Sequence, residues 1–183
     1  MFDWHQLNLE RGYPGEGRET VVIYCDGAAL RNGKTGASAG YGVWFQRICH
    51  RDSNCYGPVE GPQTNQRAEL TASITSLPWV LYEGSALRHK ISPIRSPLVI
   101  FTDSRYTINC LTDWVNRWQL NNFTNAKGLS VVNEDLIRDV MEVREAHDGK
   151  VRLQYVPGHS GSYGNDQADR LACMAAREYE QYY

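Results

Sequence analysis

Two short apolar runs, each ending in an aspartate, constrain the fold of this chain more than any other feature. They are VVIYCD, which ends at Asp26, and LVIFTD, which ends at Asp103. Runs of this length, rich in β-branched and aromatic residues, are typical of buried strands. Ligands of open α/β sheets bind beyond the carboxyl ends of the strands. We therefore expect both strands to finish at their aspartate and the two acids to converge.

The remaining pattern predicts strands early in the chain, then strands that alternate with helices. Strands are predicted at about 19–26, 39–46, 98–103 and 150–156, with further strand between 47 and 60. Helices are predicted from Asn65 to a kink or end at Pro78, and over 104–118, 133–147 and 167–180. The first two strands are expected to form a hairpin. This order is typical of an α/β domain with a mixed sheet and helices on its faces.

The size and composition of the chain fit a single domain. At 183 residues it is long enough to bury a core, and we predict an irregular arm at 1–18 and one domain at 19–183. No apolar stretch reaches the roughly 20 residues of a membrane helix, and no secretory signal is evident. We expect an intracellular protein without a membrane partner. Five cysteines without C-x-x-C spacing argue against a disulfide framework and a zinc site.

Four acids are placed where they can meet. Asp26 and Asp103 follow strands, Glu69 lies one turn into a helix, and Asp169 lies in the first part of the last helix. Like charges so close repel one another unless divalent cations neutralise them, and carboxylates suit Mg²⁺ or Mn²⁺. The pattern indicates phosphoryl transfer with two ions. Each acid alone is also explained as a turn residue or as an acid favoured at a helix start.

Six segments occur in the order found in ribonuclease H of type 1, and the chain resembles that family over about 20–178. They are YCDGAA, AGYGVWF, TNQRAEL, FTDSRY, WVNRW and VPGHSGSYGNDQADRLA. The resemblance implies the ribonuclease H-like fold, a five-stranded mixed sheet flanked by helices. It also implies hydrolysis of the RNA strand of an RNA–DNA hybrid, which leaves 5′-phosphate and 3′-hydroxyl ends. We expect the hybrid as partner and a monomeric protein.

The resemblance also implies the catalytic residues. Asp26, Glu69, Asp103 and Asp169 match the four metal-binding acids of the family, which would hold two Mg²⁺ ions, with Mn²⁺ as the alternative. His159, ten residues before Asp169, matches a histidine that serves product release or proton transfer. An imidazole on a glycine-rich loop suits either task. The alternative is an exposed loop histidine without a role.

Ten further residues match family positions that contact the hybrid. The polar ones are Asn32, Thr64, Asn65, Gln66, Asn133 and Asn165, and the aromatic ones are Tyr106, Trp114, Trp118 and Phe123. Asn65 and Gln66 would read the 2′-hydroxyl, Thr64 and Asn133 would hold a DNA phosphate, and the aromatic side chains would pack on deoxyribose.

Several of these matches have structural alternatives. Asn133 is also well placed as a helix N-cap, and a cap can bind phosphate as well. Trp114 and Trp118, spaced i and i+4, equally suit a core stripe. Asn32 lies in RNGK, an ordinary turn sequence.

The chain also departs from the family pattern. Gln119, Leu120 and Asn121 stand where many relatives carry basic residues, and Pro62 stands where some carry an arginine. Arg88, Lys90 and Arg95, in a longer segment at 84–97, either compensate or are simply solvated. The formal charge is −2, and without the four acids it is −2 + 4 = +2. We therefore expect few phosphate contacts and salt-sensitive binding.

Two rival interpretations share the same fold. One is a hybrid-binding module that does not cleave, and the other is a nuclease domain derived from a reverse transcriptase. The complete set of four acids together with His159 favours an enzyme over the first.

Overall fold

The computed structural model describes residues 20–46, 54–77, 97–146 and 151–180. The predicted arm at 1–18 and nearly all of the basic segment at 84–97 lie outside the described residues. The strands are β1 (Val21–Leu30), β2 (Ser38–Phe45), β3 (Cys55–Pro58), β4 (Leu98–Thr102) and β5 (Val151–Tyr155). The helices are α1 (Asn65–Thr75), α2 (Arg105–Asn109), α3 (Val115–Leu120), α4 (Glu134–Ala146) and α5 (Tyr163–Glu178), with a π-helical turn, Cys110–Trp114, between α2 and α3.

The five strands form one mixed sheet in the order β3-β2-β1-β4-β5. β1 pairs antiparallel with β2, and β2 antiparallel with β3, which confirms the predicted hairpin. β4 pairs in parallel with both β1 and β5. The expected α/β fold, a five-stranded mixed sheet flanked by helices, is confirmed.

β1 does not finish at Asp26, and this expectation was wrong. The strand continues to Leu30 because residues 23–30 pair with β2. The parallel partner β4 pairs only with Val21–Tyr24. Asp26 therefore lies in the middle of a strand, just beyond the last residue of β1 that pairs with β4.

The two faces of the sheet are covered by different helices. Alternate residues of β1, Val21, Ile23 and Cys25, belong to the main core cluster, which includes residues of α1 and α4. On the opposite face α5 packs against β2. A Cβ atom at Gly42 would lie 2.3 Å from the carbonyl oxygen of Ala168, so only glycine permits this approach of helix to strand.

The helix ends agree with the sequence except at α5. Thr64 caps α1 by accepting from the backbone nitrogen of Arg67, and α1 ends at Thr75, before Pro78. α5 was expected from Gln167 but begins at Tyr163. The glycines and serines before Gln167 led us to predict a longer loop, whereas the first turn of α5 is packed against the sheet, with Gly164 against the ring of Tyr24.

Candidate active site

The register between β1 and β4 brings two of the predicted acids to the same level. Tyr24 pairs with Phe101, so two residues further on Asp26 and Asp103 stand side by side. The sequence placed both acids after apolar runs. The register explains why they meet although only Asp103 follows the end of its strand.

Glu69 reaches the two aspartates because α1 lies directly against β1. A Cβ atom at Gly27 would lie 2.2 Å from the backbone nitrogen of Glu69, so the residue after Asp26 must lack a side chain. One carboxylate oxygen from each of Asp26, Glu69 and Asp103 lies within 4.8 Å of the others. We call these three residues the carboxylate cluster.

The electrostatics of the carboxylate cluster are unfavourable for three bare anions. Burial, followed by the charge of Asp103, raises the pKa of Asp26 to about 8. Burial, followed by the charge of Asp26, raises the pKa of Glu69 to about 9. The Glu69 Oε2 atom is buried and has no hydrogen-bond partner. A set of carboxylate oxygens with one unpartnered acceptor fits a hard divalent cation.

Asp169 lies near the carboxylate cluster but is not part of it. Its charge contributes to the raised pKa of Asp26, which places its carboxylate within electrostatic reach. The Cys173 thiol donates to Asp169 Oδ1 at 3.6 Å. Of the four predicted acids, the structure thus groups three closely and holds the fourth beside them on α5.

The loop before α5 and the start of that helix enclose the Asp103 carboxylate. A Cβ atom at Gly158 would lie 2.5 Å from Asp103 Oδ2, and Asn165 Nδ2 donates to the same oxygen at 3.2 Å. Asn165 lies in the first turn of α5 rather than in the loop, is 2% exposed and has an Oδ1 atom without a partner. His159 follows Gly158 on the exposed part of the loop, with φ 51°.

The residues at the start of α1 form a second group around the carboxylate cluster. Asn65 Nδ2 donates to Glu69 Oε1 at 3.2 Å. The backbone nitrogen of Asn65 donates to Asn32 Oδ1 at 3.2 Å, so the turn between β1 and β2 is attached to α1. Gln66 is exposed. Asn32 is therefore more than a turn residue, because it positions the segment that contains Thr64 and Asn65.

Asn133 occupies the N-cap position of α4 by its backbone only. Its carbonyl accepts from the Ile137 nitrogen at 3.0 Å. Its side chain points elsewhere: Oδ1 accepts from Arg67 at 3.3 Å and Nδ2 donates to the Tyr106 hydroxyl at 3.4 Å. The predicted side-chain cap is wrong. The backbone of Asn133 is left-handed, with φ 58°, and its side chain bonds to Arg67 of α1 and Tyr106 of α2 instead of to the backbone of α4.

The predicted aromatic residues form a continuous row. Ring centroids lie 6.1 Å apart for Tyr106 and Trp114, 5.7 Å for Trp114 and Trp118, and 6.4 Å for Trp118 and Phe123. The first three rings are partly buried against the core, and Phe123 is 3% exposed. The guanidinium of Arg138 covers the Phe123 ring at 3.8 Å. Phe123 is therefore a core residue, whereas Trp114 and Trp118, for which the core stripe was the alternative, pack against the core and also retain exposed area.

Sequence reasoning missed Arg67 and Gly158. Arg67 is 8% exposed and forms a bidentate ion pair with Asp135, with Nη2 at 2.6 Å from Oδ2 and Nη1 at 3.0 Å from Oδ1. An arginine directly before Ala68, on the helix predicted from Asn65, was the available signal. Its partner Asp135, 68 residues away in the sequence, offered no signal of this ion pair.

Among the described residues no helix is long and apolar enough to cross a membrane. The described cysteines, Cys25, Cys55, Cys110 and Cys173, are free. Fold and site together define a class of protein. Its members have a mixed α/β sheet with a carboxylate cluster where the central parallel strands meet α1.

Comparisons with known proteins identify the family within this class. Residues 18–177 match the model of the family described as RNase H. Ribonuclease H of Schizosaccharomyces pombe is 42% identical over 158 residues, 86% of this chain and 53% of that protein. Ribonuclease H of Pelobacter propionicus is 34% identical over 165 residues, 90% of each chain. The crystal structure of LC9-RNase H1, a type 1 RNase H with the type 2 active-site motif, superposes with a TM-score of 0.61 at 27% identity, covering 87% of this chain and 72% of the other.

The chain belongs to the RNase H family, and its similarities are to type 1 members. It spans about half the length of its curated relatives from S. pombe and from Mus musculus.

Proposed function

We propose that this chain is an endoribonuclease that hydrolyses the RNA strand of RNA–DNA hybrids and leaves 5′-phosphate and 3′-hydroxyl ends. The observation that carries the proposal is the carboxylate cluster, with its two raised pKa values and the unpartnered Glu69 Oε2 atom. Three close carboxylates are costly to keep ionised without a cation. Membership of the RNase H family and the relatives named ribonuclease H support the reaction.

The ligand chemistry supports Mg²⁺ as the cofactor, with Mn²⁺ as the alternative. Asp26, Glu69 and Asp103 would hold one ion, and Asp26 and Asp169 the other. When bound, such ions neutralise phosphate charge and favour deprotonation of water. Oxygen-only ligand sets favour these hard cations over softer metals.

The remaining residues would orient the reactants. Asn165 fixes the Asp103 carboxylate through its hydrogen bond, and so acts on the site from inside the protein rather than on the hybrid. His159, exposed on the loop whose Gly158 lies against this carboxylate, would exchange protons or assist product release. Asn65 and Gln66 would contact the 2′-hydroxyl, which distinguishes RNA from DNA.

The partner we propose is the RNA–DNA hybrid, bound by a monomer. Tyr106, Trp114 and Trp118 would pack on the DNA strand, with Phe123 supporting Trp118 from within the core. Thr64 and Asn133 would hold a phosphate of that strand, and Asn32 would hold the start of α1 in place.

Replacement of Asp103 by Asn tests the active-site assignment. The variant retains the size of the side chain but removes its charge, so we expect kcat for hybrid cleavage with Mg²⁺ to fall by more than about a hundredfold. Circular dichroism and the melting temperature should show an intact fold. Asp113→Asn, an equivalent change at an exposed acid outside the cluster, should leave kcat unchanged.

Two results would contradict the proposal. Wild-type activity of Asp103→Asn would remove the site assignment. A wild-type protein that binds hybrid but does not cleave it, with either Mg²⁺ or Mn²⁺, would favour the binding-module alternative.

A further inference from the structure

Arg67 is a buried arginine whose side-chain donors bind three residues in two segments. Its Nε atom donates to the carbonyl oxygen of Glu60, and both terminal nitrogens bind the Asp135 carboxylate. Nη1 also donates to Asn133 Oδ1. Arg67 is thus tied to the loop before α1 and to the first turn of α4. A planar, bidentate pair of this kind fixes the orientation of the guanidinium.

The conformation of Asn133, at the start of α4, is not set by hydrogen bonds from its side chain to that helix. The residue has a left-handed backbone, and its side chain does not cap α4. Asparagine tolerates this conformation better than most residues. Its amide therefore depends on Arg67 and Tyr106 for its orientation.

The chemistry of Arg67 determines which way the Asn133 amide points. A guanidinium has only donors, so the atom that faces it must be the amide oxygen. The NH₂ group is then directed to the other side, towards the Tyr106 hydroxyl, 3.4 Å from Nδ2. That hydroxyl is 3.5 Å from the carbonyl oxygen of Val132. An NH₂ group in this position can donate to a phosphate, whereas an amide oxygen would repel it.

Thr64 is also linked to this arrangement through Arg67. The Thr64 hydroxyl oxygen accepts from the Arg67 backbone nitrogen at 3.3 Å. Because its oxygen acts as the acceptor, its own proton remains a donor. The backbone of Arg67 thus fixes one phosphate donor and its side chain fixes the other.

We propose that Arg67, anchored by Asp135, is a positioning residue that directs the Asn133 NH₂ group towards the bound phosphate. This inference rests on the proposed function and adds two residues to it, neither of which touches the hybrid. The ion pair with Asp135 orients Arg67. Without Asp135, Arg67 keeps its charge but loses the carboxylate that orients its guanidinium.

The test compares Asp135→Asn with Glu180→Gln. Both variants neutralise an acid paired with an arginine, Glu180 being paired with Arg31, so both change the net charge equally. We expect KM for a short hybrid to rise about five- to tenfold in Asp135→Asn with kcat within about twofold. Glu180→Gln should show an unchanged or lower KM, because it only removes negative charge. Equal KM values in the two variants would overturn the positioning role.

A second pair of variants separates positioning from stability. Asn133→Asp preserves an oxygen facing Arg67 but replaces the NH₂ group by an acceptor. Asn54→Asp is the matched control, since the Asn54 oxygen also accepts a hydrogen bond, from the Phe45 nitrogen at 2.7 Å. We expect KM to rise about tenfold in Asn133→Asp, with an unchanged melting temperature, and to rise far less in Asn54→Asp.

The outcomes also separate this inference from the proposed function. The affinity for a hybrid labelled on its DNA strand is measured in EDTA, where no cleavage occurs. A wild-type protein that cleaves hybrid, together with wild-type KM and affinity in Asn133→Asp, would overturn only the role of Asn133 and Arg67. A wild-type protein that neither binds nor cleaves hybrid would overturn both proposals.

Discussion

At the scale of single residues, Asp26 and Glu69 show how the proposed active site lowers the stability of its own fold. Both carboxylates are buried, and each has a raised pKa. An acid whose pKa is raised on folding binds its proton more tightly in the folded state than in the unfolded state. Its contribution to stability is complete below the unfolded pKa and is lost as the pH rises through the folded value.

We therefore predict that the metal-free protein loses stability between about pH 4.5 and pH 9, the unfolded and folded pKa values of Glu69. In Glu69→Gln this loss should be smaller, because glutamine carries no charge at any of these pH values. Urea unfolding in EDTA at pH 5 and pH 8.5 measures the difference between the two proteins. Added Mg²⁺ should stabilise the wild type more than the variant at pH 8.5.

The prediction has a clear contrary outcome. A stability difference between wild type and Glu69→Gln that is the same at both pH values would mean that the folded protein does not hold Glu69 in a raised-pKa environment.

At the scale of elements, the contact between β2 and α5 fixes the position of Asp169. Gly40 and Gly42 lie under this helix, and a Cβ atom at either would come within 2.4 Å of its backbone. Backbone atoms cannot move aside as the end of a long side chain can. The two glycines therefore set how closely α5, and the acid it carries, approaches the sheet.

We predict that Gly42→Ala destabilises the protein by about 2–3 kcal/mol and lowers cleavage, because α5 must shift away from β2. Gly128→Ala is the control: no atom lies within 4 Å of its Cβ position, and φ is +75°. The Gly128→Ala control should lower the free energy of unfolding only by the left-handed backbone penalty, about 1 kcal/mol, and should leave cleavage intact. Chemical denaturation and a hybrid cleavage assay measure both effects. Equal destabilisation by the two variants would argue against the close helix–sheet contact.

At the scale of the whole molecule, charge limits how the chain can hold a nucleic acid. The formal charge is −2, and it becomes +2 once the four acids are neutralised by cations. In the proposed complex with the hybrid, affinity must then come from few phosphate contacts together with the aromatic row and the amides. Such an interface depends more on positioned donors than on a general positive field.

We predict that hybrid binding weakens by about tenfold between about 50 and 200 mM salt. This is the dependence expected when basic side chains neutralise about two phosphates, in line with the formal charge of +2 that remains without the four acids. Fluorescence anisotropy over a salt series in EDTA gives the slope. Salt-independent binding would contradict the phosphate contacts, and a much steeper slope would indicate a larger basic surface than the proposed contacts provide.

The amino-acid sequence by itself determined the strands, most helix ends and the identity of the acids. Apolar runs, N-cap residues and glycine positions are local properties, whereas the carboxylates of Asp26, Glu69 and Asp103 meet because of the register between β1 and β4 and the contact of α1 with β1. Only the tertiary structure decided how far β1 extends beyond Asp26, where α5 begins and which way the Asn133 side chain points. Each of these depends on a partner in another element: β2 for the strand, Tyr24 for the helix and Arg67 for the amide. Local patterns carry no record of such partners, because a hydrogen bond or a close contact exists only once folding has brought both groups together.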